Sequence, residues 1–192
     1  MPDKLIVPDS VTNIFAISED IGVIVVGNMN DARFVVQYLR SVSAEFKFKF
    51  QYEIPVKVLA TRMGQYFQKY AQYAGIRPFC AMTTIVGCDE EFGPQCFRID
   101  PSGQSIGFRA VSTGTKEQEA MSQLEKQFKK TNGDWDSKQT LETAVTVLQA
   151  VTSSDFKASD IEIGYSTIEK PKFKKLTEAE IETLLNEMAD KN

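Results

Sequence analysis

IRPFCAMTTIVGCDEEFGPQCFRIDPSGQSIGFRAVSTG, residues 76–114, sets the architecture of the whole chain. It predicts three short strands joined by two tight turns. Phe79 to Cys88 is rich in β-branched and apolar residues and holds no proline. It runs into Asp89-Glu90-Glu91-Phe92-Gly93-Pro94, a polar reversal punctuated by glycine and proline. Gln95 to Ile99 is the second strand, and Asp100-Pro101-Ser102-Gly103 suits a type I turn. Aspartate caps its first position, proline presets φ at the second, and glycine is favoured at the fourth. The third strand, about Ile106 to Val111, stops before Gly114, where a helix is expected at once. A meander that feeds a helix is half of a layered sheet-and-helix domain.

The bulk properties narrow the function. A chain of 192 residues is most simply one domain, 1–192. At that length it buries about 70% of its unfolded surface, enough for a core. The net charge of −4 argues against a nucleic-acid protein, which would show a basic face. Two short basic runs, Lys126–Lys130 and Lys170–Lys175, read as a helix end and a solvated loop. Phe46-Lys47-Phe48-Lys49-Phe50 alternates with period two and reads as a helix end passing into a bend, with lysine stems lying over apolar surface. No apolar run reaches membrane-spanning length, and the start, MPDKLIVPDS, lacks the pattern of a secretory signal, so no membrane partner is expected. Cys80, Cys88 and Cys96 form an odd set without a CxxC, and they read as buried free thiols. Histidine is absent, which removes Ser-His-Asp and Cys-His catalysis and any HExxH metal site. No cofactor is called for. The expected location is cytoplasmic and nuclear.

The remaining segments supply the other layers. Val11 to Ile17 and Ile21 to Val26 read as a hairpin about Ser18-Glu19-Asp20, the second strand buried on both faces. Asn30 is a candidate N-cap for a helix with Val35, Leu39, Val42 and Phe46 on one face. Pro55 opens a second helix, where Val56, Leu59, Met63, Tyr66, Tyr70 and Tyr73 form a stripe widened by Phe67. Gly64 weakens that helix by about 1 kcal/mol against alanine. After the meander, Thr115 and Gln118 match a capping box, and Met121, Leu124 and Phe128 share a helix face. Asp136 and Gln139 open a further helix with Leu141, Val145, Leu148 and Val151 inward. Ile161 to Thr167 alternates as a late strand broken by Pro171. Thr177 and Glu180 cap a terminal helix facing inward through Ile181, Leu184, Leu185 and Met188. Helices come in pairs and strands in runs, unlike βαβ alternation. Two helix pairs on opposite sides of antiparallel strands give an α+β, four-layer α/β/β/α sandwich.

These residues resemble the α subunits of the core (20S) proteasome. Gly27-Asn28-Met29-Asn30-Asp31-Ala32-Arg33 is similar to the family's ADAR/ADSR segment. Tyr52-Glu53-Ile54-Pro55-Val56 resembles its bend before the second helix, and Arg77-Pro78-Phe79 its RPFG motif, with Cys80 in place of the usual glycine. Gly87-Cys88-Asp89, Gly93-Pro94-Gln95 and Asp100-Pro101-Ser102-Gly103 resemble its G-D…GP…DPSG signature. Leu124-Glu125-Lys126 and Leu176 to Glu180 match later elements. Asp134-Trp135, Asp155-Phe156-Lys157 and Ile161 to Gly164 are most similar to the type-six α subunits, at ring position one.

The resemblance implies a sandwich of the Ntn-hydrolase type and a non-catalytic structural subunit of the α ring, serving ubiquitin-dependent protein degradation by the complex. The implied partners are other α subunits as ring neighbours, β-ring subunits, and regulatory or activator particles. Family members carry a helix and two strands ahead of the segment that begins here, so the chain is expected to lack the first helix and first two strands. Catalysis in the β relatives uses an N-terminal threonine whose own amine is the base. Met1-Pro2 stands at the start of this chain, so no catalytic residue is expected. The family also has a pocket between α neighbours that receives activator tails, usually with a lysine on the strand matching Val11 to Ile17. The matched position is Asn13, with no cation to pair a carboxylate, and the position after the strand-ending glycine is Asn28. Weak tail binding is expected. Two alternatives stand beside this reading: an independent Ntn-type hydrolase, and a free-standing binding module whose ligand sits among Tyr66, Tyr70 and Tyr73.

Overall fold

The computed structural model describes residues 5, 7, 10–153 and 156–189. A five-stranded antiparallel sheet runs β1 (Ile14–Ala16), β2 (Ile21–Gly27), β3 (Ala81–Asp89), β4 (Gly93–Ile99) and β5 (Ser105–Phe108), neighbours in chain order. Helices α1 (Met29–Phe50) and α2 (Val56–Gln72) fall between β2 and β3. Helices α3 (Glu117–Thr131) and α4 (Ser137–Thr152) follow β5. A short two-stranded sheet, β6 (Gly164–Tyr165) with β7 (Lys174–Lys175), precedes α5 (Glu178–Ala189).

The register gives the sheet two distinct faces. Val23 pairs with Ile85, Ile85 with Phe97, and Thr83 with Ile99, so these side chains point to one side. That side receives Val35, Leu39, Val42 and Phe46 of α1 and Val56, Leu59, Met63 and Phe67 of α2 in one continuous core. The 3.6-residue stripe and the two-residue pleat thus meet in the same apolar layer. The opposite face carries Ile24, Val26, Met82 and Val86, all half-buried. There Phe173 reaches across from just before β7. A Cβ on Gly22 would lie 2.1 Å from its ring, and one on Gly164 would lie 2.5 Å away, so only glycine admits it. The Phe173 amide also donates to the Glu19 carbonyl. The small sheet is seated over the β1–β2 end in this way.

The three-stranded meander forms, but its second strand begins at Gly93 rather than Gln95 and its third ends at Phe108 rather than near Val111. Gly93 turns at φ +68°, and the Asp100 carboxylate accepts from the amides of Ser102 and Gln104 while the Gly103 amide closes on the Asp100 carbonyl at 3.0 Å. Pro94 lies in β4 opposite Cys88. Gly64 has a packing reason. A Cβ there would lie 2.8 Å from the Gly103 carbonyl, so the glycine lets α2 cross the β4–β5 turn.

Several expectations are corrected. The cap of α1 is Asn28, whose side-chain oxygen accepts from the amides of Asn30 and Asp31; Asn30 lies inside the helix. The Phe46–Phe50 segment stays helical, and the chain bends only at Gln51, with φ +64°. No side chain caps α3 at Thr115; the N-cap is Lys116. In α4 the buried residues are Val145, Val147 and Val151, and Leu148 faces out, 45% exposed. The late strand shrinks to Gly164–Tyr165, paired to a strand in the stretch read as loop. The capping boxes of α4 (Asp136, Gln139) and α5 (Thr177, Glu180) form as expected. Cys88 is buried and Cys96 half-buried, but Cys80 is exposed.

Candidate functional site

Two polar clusters tie distant parts of the chain together. The first joins the start of α1 to the start of β3. Asp31 is almost fully buried, and the Arg77 guanidinium donates to both its oxygens, at 2.8 and 2.7 Å. The Cys80 amide adds a third donor at 2.9 Å. A bidentate guanidinium with a backbone amide is a strong carboxylate clamp. The Arg77 bonds, then the Cys80 amide, bring the Asp31 pKa down to about 2 despite its burial. The ADAR-like and RPF motifs are therefore two halves of one bolt. Phe79, next in line, packs on Phe67, Tyr66, Tyr70 and Phe34.

The second cluster surrounds Asn13. Glu162 reaches β1 from far along the chain. Its Oε2 accepts from the Thr12 hydroxyl at 2.9 Å and the Asn13 amide at 3.3 Å. Its Oε1 accepts from the Lys175 ammonium at 2.8 Å. Lys175 also donates to the Thr12 hydroxyl and to the Ile14 carbonyl. Burial pushes the Glu162 pKa up, but the Lys175 and Thr12 bonds outweigh it and the net shift is downward. Asn13 thus has a cation beside it, contrary to the sequence reading. That cation is held by an internal carboxylate. Nothing local signals this arrangement, since Glu162 and Lys175 lie more than a hundred residues from Asn13. Asn28 is elsewhere: its side chain is taken up capping α1, and its amide donates to the Cys80 carbonyl at 2.8 Å. The two asparagines do not form one site.

The aromatic stripe is not an open cleft. Tyr66 stacks on Tyr38 at 3.9 Å, its hydroxyl lies 3.1 Å from that of Tyr70, and Tyr73 sits outside the stripe at the α2 C-cap, exposed. Among the described residues no group of three histidine, cysteine or acidic side chains could hold a metal ion. No helix of the described residues is long and apolar enough to cross a membrane. Met1 and Pro2, and Asp155 of the type-six-like motif, lie outside the described residues.

A family model described as a proteasome subunit matches residues 1–166. A probable proteasome subunit alpha type-1 from Schizosaccharomyces pombe is 40% identical over all of this chain and 78% of its own length. A proteasome subunit alpha type-6 from Caenorhabditis elegans is 34% identical over the same shares. An archaeal proteasome subunit alpha from Thermococcus is 32% identical over 96% of this chain and 69% of its own. With relatives of this kind along its full length, the chain belongs to the proteasome subunit family, among the alpha subunits that form the non-catalytic part of the core particle.

Proposed function

We propose that this chain takes a fixed place in an α ring, contacts α neighbours and the β ring, and receives regulatory particles poorly at its Asn13 corner. The single observation that carries the ring reading is similarity to alpha subunits over the whole chain. Its relatives carry both the type-1 and the type-6 designations, and ring position one is the place we assign it. Its work is then to hold the ring that serves ubiquitin-dependent degradation. Three free thiols fit a reducing compartment, and we place the protein in cytoplasm and nucleus. The chain co-expressed with candidate α partners is expected to appear in a hetero-oligomer by native mass spectrometry, with no peptidase turnover of its own. Recovery only as an active monomer overturns the reading.

The weak-receptor reading rests on Glu162. An incoming carboxylate needs the Lys175 ammonium, the Thr12 hydroxyl and the Asn13 amide, and all three already serve Glu162. An activator-tail peptide is expected not to bind at this corner of an assembled ring. Binding that Asn13→Ala abolishes counts against it.

A further inference from the structure

Helix α3 carries a feature that neither polar cluster described above uses. Met121, Leu124 and Phe128, spaced on one stripe, line a groove of about 250 Å³ whose other wall is Arg109 and Ala110. The three apolar side chains are half-buried, and Arg109 and Lys129 are exposed at the rim. The floor is held in place. Phe128 meets Trp135 edge-on at 5.9 Å, and a Cβ on Gly133 would lie 2.2 Å from its ring. The Met121 sulfur accepts from the Ser112 amide at 3.3 Å. The Arg109 guanidinium lies 5.5 Å from the Phe128 ring centre, pinned over the groove by cation–π attraction.

Charge says what the groove takes. The chain has more acids than bases, 26 against 22; among the described residues Lys47, Arg77, Arg98, Lys138, Lys172, Lys174 and Lys175 sit in ion pairs, while Arg40 and Lys116 donate to backbone carbonyls. Among the described residues neither Arg109 nor Lys129 forms an ion pair, although Glu125 stands one turn before Lys129 on the same rim. An open apolar stripe between two unpaired cations matches a segment that alternates apolar and acidic side chains. We propose that this groove docks an acidic amphipathic segment of a partner protein, its apolar side chain on Met121, Leu124 and Phe128 and its carboxylates on Arg109 and Lys129.

Trp135 is the single tryptophan and touches the groove floor, so its emission reports occupancy. The full chain is titrated with acetyl-Asp-Leu-Asp-Leu-Asp-amide and, separately, with acetyl-Lys-Leu-Lys-Leu-Lys-amide. The acidic peptide is expected to shift Trp135 emission to saturation and the basic one to leave it unchanged. Arg109→Glu weakens acidic-peptide binding about tenfold, with a steep dependence on salt. Ala110→Phe fills the groove without touching charge or adding a second tryptophan, and abolishes binding; Lys172→Glu, at the β1–β2 end, changes nothing. Equal binding of the two peptides, or full binding by Ala110→Phe, overturns the proposal. So does self-association of the chain without peptide that Ala110→Phe removes, because the groove would then belong to a second copy.

Discussion

Helices α1 and α2 bury Leu39, Leu59, Met63 and Phe67 completely against the five-stranded sheet. Helices α3 and α4 bury far less, with Ala120, Val147 and Val151 enclosed and Leu124 partly so. The second region is joined to the rest by polar contacts. Arg98 of β4 pairs with Glu117 and Lys138 with Glu187 of α5, while within the region the Lys116 ammonium ties α3 to α4 by donating to the Val151 carbonyl at 2.7 Å. Apolar burial stabilises in proportion to area, whereas exposed ion pairs contribute about 0–1 kcal/mol each. The first region therefore carries the stability of the described molecule. The second offers surfaces, including the groove on α3.

The largest expected effect tests that contrast directly. Phe67→Ala should cost about 3–5 kcal/mol in urea unfolding, because a fully buried ring leaves a cavity among packed neighbours. Leu124→Ala, on half-buried α3, should cost less than half as much. Equal losses would break the comparison.

Next is the bolt between α1 and β3. Asp31 has its pKa lowered to about 2 from an ordinary 3.8. A depressed carboxylate contributes stability that is present above the ordinary pKa and is lost as pH falls toward the folded value. Asp31→Asn should therefore cost about 2 kcal/mol at pH 7, and little of that difference should remain near pH 2. Unfolding titrations across that window check both the size and the sign. A difference that does not shrink on acidification would mean that Asp31 acts through packing alone.

The same contrast explains what could be read from the sequence. The α1 stripe, the α2 stripe as far as Phe67, the meander and the boxes at Asp136 and Thr177 depend on residues within four positions of one another, and they are legible. The cap of α3 is not. Thr115 and Gln118 match the pattern, but α3 begins at Glu117, which Arg98 of β4 holds from another layer. Asn28 and Asn30 offer the same chemistry, and only the extended backbone of Asn28, at φ −69° and ψ 123°, decides between them. Strand β7 reads as a lysine-rich loop because Lys172, Lys174 and Lys175 find their acids on three separate segments. The corner at Asn13 is illegible for that same reason, since its cation and its carboxylate both come from the far end of the chain.

A smaller effect is expected at that corner. Glu162→Gln keeps the shape but loses the charge facing Lys175, and both side chains are about a third exposed. The loss should be about 0.5–1 kcal/mol, the scale of a solvent-screened pair with added hydrogen bonds. It should fade in high salt, as the apolar core does not. A salt-independent loss would point to the Thr12 and Asn13 bonds as the main tie between β1 and the β6–β7 sheet.

The smallest effect sharpens the comparison most. Leu148 lies on α4 at a position whose spacing from Val145 and Val151 marks it as core, yet it is 45% exposed while Val147 is enclosed. A leucine left largely in water has little burial free energy to lose, so Leu148→Lys should change stability by no more than about 0.5 kcal/mol. Val147→Lys places a charge in the small α3–α4 core and should unfold that layer. If Leu148→Lys proved as damaging as Val147→Lys, α4 would have to turn its predicted face inward in solution. The α3–α4 layer would then be packed as tightly as the α1–α2 layer, and the contrast between the two halves would be gone.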